Sequence, residues 1–349
     1  MLQSLLNSAL NKRNSLKSIT NAIRLVNGEG DSLPGLVIEQ YNRHFVIHLY
    51  REPWLEALPE IKDWLVNSLF AQYIIVKYRS APDGRILDNP KSGVLLNNAS
   101  SKTIVYEYDT QFLVDLNDTV NSGLFLDMRH NRNMLGKICK GKKVLNTFAY
   151  TCSFGVYARK NGAILVNNVD ISSKNLKKGE ENYKLNGLSR DSKEFICSDS
   201  LKFMERALKH QNFYDLIIID PPSFSRVERK VFQIKRDLPK LLDISLKIIK
   251  PQGYLFVSTN YSGINTEKLI AMIKKSCLVH QKTINSVSIT YKISEPTVSK
   301  LYSYFKSILK IHMEELYLSL NFGVISTQEQ IKYYDREVIE SDCVIGEDD

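Results

Sequence analysis

The sequence predicts an α/β protein: a doubly wound, seven-stranded sheet preceded by a smaller N-terminal α+β domain. Three observations carry this. From about Leu124, strand-length apolar runs alternate with segments of helical spacing, the signature of a parallel sheet covered by helices. Tyr214-Asp215-Leu216-Ile217-Ile218-Ile219 is an almost unbroken apolar run, as a strand buried on both faces requires. Before Leu124 the pattern differs, with hairpin signals flanking one strong helix.

In the first domain, Leu2, Leu5, Leu6, Ala9, Leu10 and Leu16 have helical spacing over residues 2–19. Ile23–Leu36, with Gly28, Gly30, Pro34 and Gly35, reads as short, turn-rich and irregular. Leu36–Glu39 and Phe45–Tyr50 flank Tyr41-Asn42-Arg43-His44, a hairpin. Pro53 opens a helix to about Leu69, with Trp54, Leu58, Ile61, Leu65 and Leu69 on one face, and Tyr73–Tyr78 is a strand. Residues 79–91 form a Pro- and Gly-containing loop, and Thr103–Tyr108 with Gln111–Leu116 a second hairpin leading into the next domain. The boundary is placed near residue 105.

The second domain, 106–312, opens with a helix around Arg132–Cys139. Strands are expected at 144–148, 164–169, 194–197, 214–219 and 254–258, with helices at 154–161, 172–186, 200–209, 235–249 and 266–276. Ser286–Ile293 and Tyr304–His312 complete seven strands as a terminal pair. Residues 313–349 read as an extension: a helix to Leu320, then a loose acidic end.

Hydrophobic content of 43% and charged content of 24% are those of a globular protein. The net charge is +9, yet Glu329–Asp349 holds eight acidic and two basic residues, so the remainder carries +15. That suits a polyanionic partner, although a uniformly basic background gives the same balance. Five scattered cysteines without C-x-x-C spacing argue against a disulfide framework or a metal site and for a reducing, cytoplasmic setting. No apolar run reaches the ~18 residues that span a bilayer.

The chemistry gathers at strand ends. Asp220-Pro221-Pro222-Ser223-Phe224 follows the apolar run, at the edge where doubly wound sheets bind ligands. Two prolines remove two backbone donors, leaving the Asp220 carboxylate and nearby carbonyls as acceptors. Phe224 adds a flat apolar face. Acceptors beside a stacking surface suit a planar ring bearing an amino group; a core plug is the plainer reading of Phe224. Asp170 ends the second strand, where a carboxylate can accept both ribose hydroxyls. Asp199 follows the third and can accept from an adenine amino group. Both can instead cap the helices they precede. Neither G-x-G-x-x-G nor G-x-x-x-x-G-K-[ST] occurs, so a nucleoside cofactor without a pyrophosphate fits better than a dinucleotide.

Several motifs together resemble the Rossmann-like class I S-adenosylmethionine-dependent methyltransferases: Ser122–Arg132, Val144–Ser153, Val169-Asp170, Leu185–Leu188 and Asp220–Phe224. Within them, the likeness is to bacterial large-subunit ribosomal RNA methyltransferases acting on cytosine C5 or guanine N7. Arg24–Leu36 resembles that group's accessory domain. The resemblance implies S-adenosyl-L-methionine as cofactor and RNA, of the large ribosomal subunit, as partner. It implies that residues 146–152, including Asn146, Phe148, Tyr150, Thr151 and Cys152, line the methionine moiety through their backbone. Asp170 would bind ribose, Asp199 the adenine edge, and Ile171 would pack on the adenine ring. Asp127 and Arg129 would lie near the cofactor mouth, a fixed salt bridge being the alternative. Candidate RNA-backbone contacts are Lys12, Arg13 and Lys17 on the first helix and Arg226, Arg229 and Lys230 after the Asp220 motif; a solvated basic face is the alternative for each cluster.

Two departures matter. Cys152 stands where the group usually has Gly, and its side chain is expected to narrow the cofactor loop. Asn260, in Ser258-Thr259-Asn260, stands where cytosine-C5 members carry their nucleophilic cysteine. Cytosine C5 needs a thiolate added at C6 before it attacks, whereas guanine-N7 members have Asn at the corresponding place. Three readings are open: a nitrogen-directed RNA methyltransferase, a C5 enzyme with another nucleophile, and an RNA-binding protein with a degenerate cofactor site.

Overall fold

The computed structural model describes residues 1–78, 93–118, 121–189, 191–222, 224–227, 230–259, 261, 263–284, 288–290 and 321–324. The chain divides into two compact units, with the described residues up to Arg129 in the first and those from His130 in the second.

The first unit holds α1 (Leu2–Asn11), β1 (Ala22–Asn27), β2 (Leu36–Tyr41), β3 (His44–Leu49), α2 (Trp54–Leu69), β4 (Tyr73–Tyr78), β5 (Gly93–Asn97), β6 (Lys102–Glu107) and β7 (Thr110–Asp115). β1 to β5 form a sheet in sequence order, antiparallel except for β3 and β4, which α2 connects as a crossover. One sheet face buries Ile23, Leu25, Ile38, Phe45, Ile47 and Ile74 with Leu6 and Ala9 of α1 and Ile61, Trp64 and Leu65 of α2. The first helix is shorter than the sequence predicts: α1 stops at Asn11 and Asn14–Ser18 is a 3-10 turn. Ile23–Leu36 is not wholly irregular either, because β1 pairs with β2 and only the Gly28–Asp31 turn interrupts.

The β6–β7 hairpin belongs to this unit, and the boundary falls at 129/130 instead of near 105. Thr20 Oγ1 donates to the Tyr106 carbonyl (2.6 Å), and Tyr106 N–H donates to Asn21 Oδ1 (2.8 Å). Tyr73 OH donates to Asn117 Oδ1 and Lys77 Nζ to the Asp118 carbonyl, both at 2.6 Å. These bonds tie the hairpin and the segment after it to the first sheet.

The second unit begins in α3 (Arg129–Lys137) and continues β8 (Lys143–Thr147), α4 (Ser153–Lys160), β9 (Leu165–Asp170), α5 (Ser173–Leu185), β10 (Phe195–Cys197), α6 (Ser200–Lys209) and β11 (Tyr214–Ile219). Then come β12 (Phe224–Val227), β13 (Lys230–Gln233), α7 (Ile234–Ile248), β14 (Ile249–Ser258), α8 (Thr266–Val279), β15 (Ser288–Thr290) and β16 (Asn321–Val324). Sheet order is β10-β9-β8-β11-β14-β16-β15, parallel from β10 to β14. The apolar runs explain it: Leu216, Ile217, Ile218 and Ile219 are all at most 1% exposed, as two covered faces demand.

Three local features depart from the sequence reading. β14 starts at Ile249, and a bulge carries residues 250–253 before Tyr254 pairs with Leu216. β12 and β13 form a hairpin directly after the Asp220 motif. β16 pairs antiparallel with both β14 and β15. Residues 321–324, assigned to a loose extension, therefore belong to the sheet, and the extension does not begin cleanly at 313. The strand expected at 304–312 and the loop at 79–91 lie outside the described residues.

Candidate active site

Strand order sets where a ligand can sit. The chain runs outward from β8 through β9 to β10, then returns to β11 and β14 on the other side. That reversal opens a crevice at the carboxyl ends of β8 and β11. The loop 148–152 leaves β8 there, Asp220 leaves β11, and Asp170 ends the adjacent β9.

The loop is held in an unusual shape. Phe148, Tyr150 and Cys152 have φ of 54°, 48° and 60°, left-handed values that cost non-glycine residues ~1–3 kcal/mol each. Such a backbone persists only where its surroundings enforce it, and here they do. Ala149 N–H donates to the Val169 carbonyl (3.0 Å), Tyr150 N–H to Asp170 Oδ2 (2.8 Å) and Cys152 N–H to the Ala149 carbonyl (2.7 Å). Asn182 Nδ2 on α5 donates to the Thr151 carbonyl (3.0 Å). Beneath the loop, Asn146 Nδ2 donates to Asn168 Oδ1 and Asn168 Nδ2 to Tyr183 OH, each at 2.9 Å. The Asn146 side chain is thus spent on its own floor, and its backbone lies in the ladder of β8 between β9 and β11.

Cys152 adopts the left-handed conformation that a glycine would provide. Its side chain is fully buried, with the thiol 3.8 Å from the Tyr150 carbonyl of its own loop and turned toward α5. A Cβ built on Gly179 of α5 would come 2.3 Å from Cys152 Sγ, so the thiol fills a slot that this glycine leaves in α5. Burial pushes the thiol well above its ordinary pKa, and the Asp170 and Glu180 charges add to the rise.

Asp170 is 8% exposed. Oδ1 accepts from Ser172 N–H (2.8 Å) and Asn175 Nδ2 (3.3 Å), and Oδ2 from Tyr150 N–H. Burial raises its pKa, outweighing the Ser172, Tyr150 and Asn175 hydrogen bonds. Formal capping of α5 falls to Ser172, whose Oγ accepts from Asn175 N–H. Ile171, next along, is 41% exposed and presents an apolar surface beside the carboxylate. Asp199 caps α6 through Oδ1 and Lys202 N–H (3.0 Å). This donor and acceptor set fits a nucleoside cofactor.

Asp220 is half-buried and accepts a hydrogen bond from Ser258 Oγ at the end of β14. Burial raises its pKa, against the Ser258 bond and the charge of Arg132, a residue of α3 only 1% exposed. Pro221 is buried and Pro222 half-buried. Phe224 opens β12; its side chain, like Ser223 and Asn260, lies outside the described residues. Sequence reasoning did not find Ser258 or Arg132 as partners of Asp220. Nor did it find Gly179 and Asn182, although a glycine inside a lysine-rich helix signals close approach.

The matching family model is that of S-adenosylmethionine-dependent methyltransferases, over residues 42–281. The chain belongs to this family. It is 32% identical over 260 residues to a Bacillus subtilis (strain 168) protein provisionally named a large-subunit ribosomal RNA methyltransferase, covering 73% of this chain and 64% of that one. It is also 32% identical over 238 residues to ribosomal RNA large subunit methyltransferase K of Neisseria meningitidis serogroup B, covering 64% and 66%. The chain thus spans just under two thirds of the length of these relatives. A solved structure complexed with SAH aligns at TM-score 0.70 with 28% identity, covering 78% of this chain and 70% of that one.

The remaining family-derived assignments fare unevenly. Arg129 is 2% exposed; its Nη2 donates to the Ala22 carbonyl (2.6 Å) and its Nε lies 3.7 Å from Glu107 Oε1, inside the first unit. Asp127 sits in the 3-10 turn Leu126–Met128 of that unit. Arg13 is not an RNA contact. It is fully buried, and its guanidinium bonds both Asp31 oxygens (3.0 and 2.7 Å) and the Ala9 and Arg24 carbonyls (2.7 Å each). Lys12 Nζ, 3.3 Å from Asp31 Oδ1, is partly exposed, and Lys17 is exposed. Arg226 and Lys230 belong to β12 and β13, with side chains outside the described set, as is all of Arg229. Among the described residues no group of three or more His, Cys, Asp or Glu is placed to hold a metal, and no helix is long and apolar enough to cross a membrane.

Proposed function

We propose that this chain methylates a base of large-subunit ribosomal RNA in the cytoplasm, at a ring nitrogen such as guanine N7, by direct transfer from S-adenosyl-L-methionine. The observation that carries the reading is the placement of Asp220 on the opposite side of the β8/β11 reversal from the strained 148–152 loop. The sulfonium supplies an electrophilic methyl; the protein's work is alignment and electrostatics. Residues 146–152 cradle the methionine end, Asp170 takes a ribose hydroxyl, and Ile171 and Asp199 flank the adenine. A guanine N7 has an in-plane lone pair and loses no proton. Asp220 would then accept the hydrogens of the base's exocyclic amine, fixing the ring. The base must leave its stack, and Phe224 is the stacking candidate by its place in the sequence.

The four described cysteines disfavour a C5 mechanism. Cys139, Cys152 and Cys277 are buried, and burial raises all three thiols, Cys139 to about 12. Cys197 is on β10, three strands from β11. The slot at Gly179, which receives the Cys152 side chain, supports an intact cofactor site over a degenerate one. Mass spectrometry of ribosomal RNA nucleosides from cells with and without the gene tests the proposal: a methylated purine disappears with the gene. An unchanged profile would sink it. Covalent trapping on 5-fluorocytosine-containing RNA would instead favour the C5 reading.

A further inference from the structure

We infer that Gly179 is a positioning residue for the cofactor loop: the gap it leaves in α5 holds the Cys152 side chain and so keeps the loop in its left-handed shape. This rests on the cofactor reading above.

The observations are geometric. Gly179 is buried in the interior of α5, where glycine is ordinarily unfavourable relative to alanine. Nothing in its helix requires it: no positive φ occurs there. What requires it is the neighbouring loop. A Cβ on residue 179 would meet Cys152 Sγ at 2.3 Å, Cys152 Cβ at 2.9 Å and the Thr151 carbonyl carbon at 3.4 Å. All three atoms belong to the end of the 148–152 loop. Rotation about χ1 can move Sγ, but Cys152 Cβ, at 2.9 Å, is set by the backbone at φ 60° and shifts only with it.

One residue type thus compensates another across the site. A side chain at 152 occupies space that a glycine there would leave empty, and α5 yields the same space from its own side. Asn182, three residues along α5, grips the Thr151 carbonyl. The helix therefore fixes the loop by one recess and one hydrogen bond. Refilling the recess pushes the loop toward the crevice at the strand ends.

A double-mutant cycle reads this out on the full chain, with S-adenosylhomocysteine titrated by calorimetry and melting followed without ligand. In the wild-type background Gly179→Ala overpacks the slot and is expected to weaken binding about tenfold or more. In the Cys152→Gly background the same change meets nothing closer than 3.4 Å. There it is expected to alter binding less than about threefold, and to raise the melting temperature because alanine is the better helix former. That reversal of sign is the signature. Equal effects of Gly179→Ala in both backgrounds would overturn the inference. Should Gly179→Ala alone not fold, the comparison between Cys152→Gly and Cys152→Gly/Gly179→Ala decides: a double variant that fails to fold or binds much more weakly overturns it. A wild-type protein that does not bind S-adenosylhomocysteine overturns the cofactor reading as well, which separates the two failures.

Discussion

Replacing Asp170 by asparagine separates the two roles this residue can play, ribose ligand or loop support. An ionised carboxylate offers about four acceptor sites. Ser172 N–H, Asn175 Nδ2 and Tyr150 N–H take three, leaving one, and the longest of the three bonds, 3.3 Å to Asn175, is the easiest to exchange for a ligand hydroxyl. In Asp170→Asn one oxygen becomes an NH2 group that faces a backbone donor. An unsatisfied buried donor costs ~1–3 kcal/mol of stability. A charge-assisted bond to a ribose hydroxyl is worth a further ~1.5–3 kcal/mol, or about 10–150-fold in affinity. Titration calorimetry with S-adenosylhomocysteine reads the second quantity and urea unfolding of the ligand-free protein the first. The expected result is a fall in both. A variant that loses ~1–3 kcal/mol of stability yet binds within about threefold of wild type would refute the ribose assignment and leave Asp170 as a brace for Tyr150.

Other outcomes are open to direct measurement. Arg13→Met strands the buried Asp31 carboxylate and should cost ~3–5 kcal/mol in urea unfolding, whereas a contact to RNA would leave stability intact and weaken binding. Lys17→Ala, at an exposed position, should keep stability within ~0.5 kcal/mol, and if Lys17 meets a phosphate the salt slope of RNA binding should fall by about 0.7–0.9. Burial opposes ionisation of Glu39, but the His48 hydrogen bond and the Arg24 charge outweigh it and hold its pKa well below the usual range. Its contribution to stability is therefore present above the unfolded value of 4.5 and lost as pH falls through the folded one. Glu39→Gln should flatten unfolding free energy against pH below 4.5, and an unchanged acid slope would contradict the pairing. Asp220 has a raised pKa, so a reaction needing its carboxylate should slow as pH falls through a value above 3.8. Asp220→Asn should remove that limb from the rate profile and lower kcat about a hundredfold.

Most of the second unit is visible in the sequence because its strands are continuous apolar runs and its helices carry recognisable caps. Asp199 and Asn265 both accept from the N–H three residues on, as N-cap residues should. The first unit is harder to read. β1 hides among turn residues because its partner β2, and not its own composition, makes it a strand. Arg13 looks like a surface base until Asp31, distant in sequence, folds beneath it. The Asp220 motif shows where the site is, but Ser258 and Arg132 reach it from other elements, so only tertiary structure reveals what holds the carboxylate. Cys152 carries the same lesson: its identity alone says nothing of the space for its side chain, which a glycine on a neighbouring helix supplies.

The strand order has a consequence for synthesis. The loop, ribose and adenine candidates, from Asn146 to Asp199, lie in one continuous stretch that leaves the ribosome before Asp220 and well before Ser258. About 60 residues separate Asp199 from Ser258, which at ~5–20 residues per second means roughly 3–12 s of translation. During that interval β8, β9 and β10 can pair and α5 can brace the loop while the β11 and β14 side is still being made. The cofactor half is thus synthesised first, and the crevice itself forms only when β11 pairs beside β8.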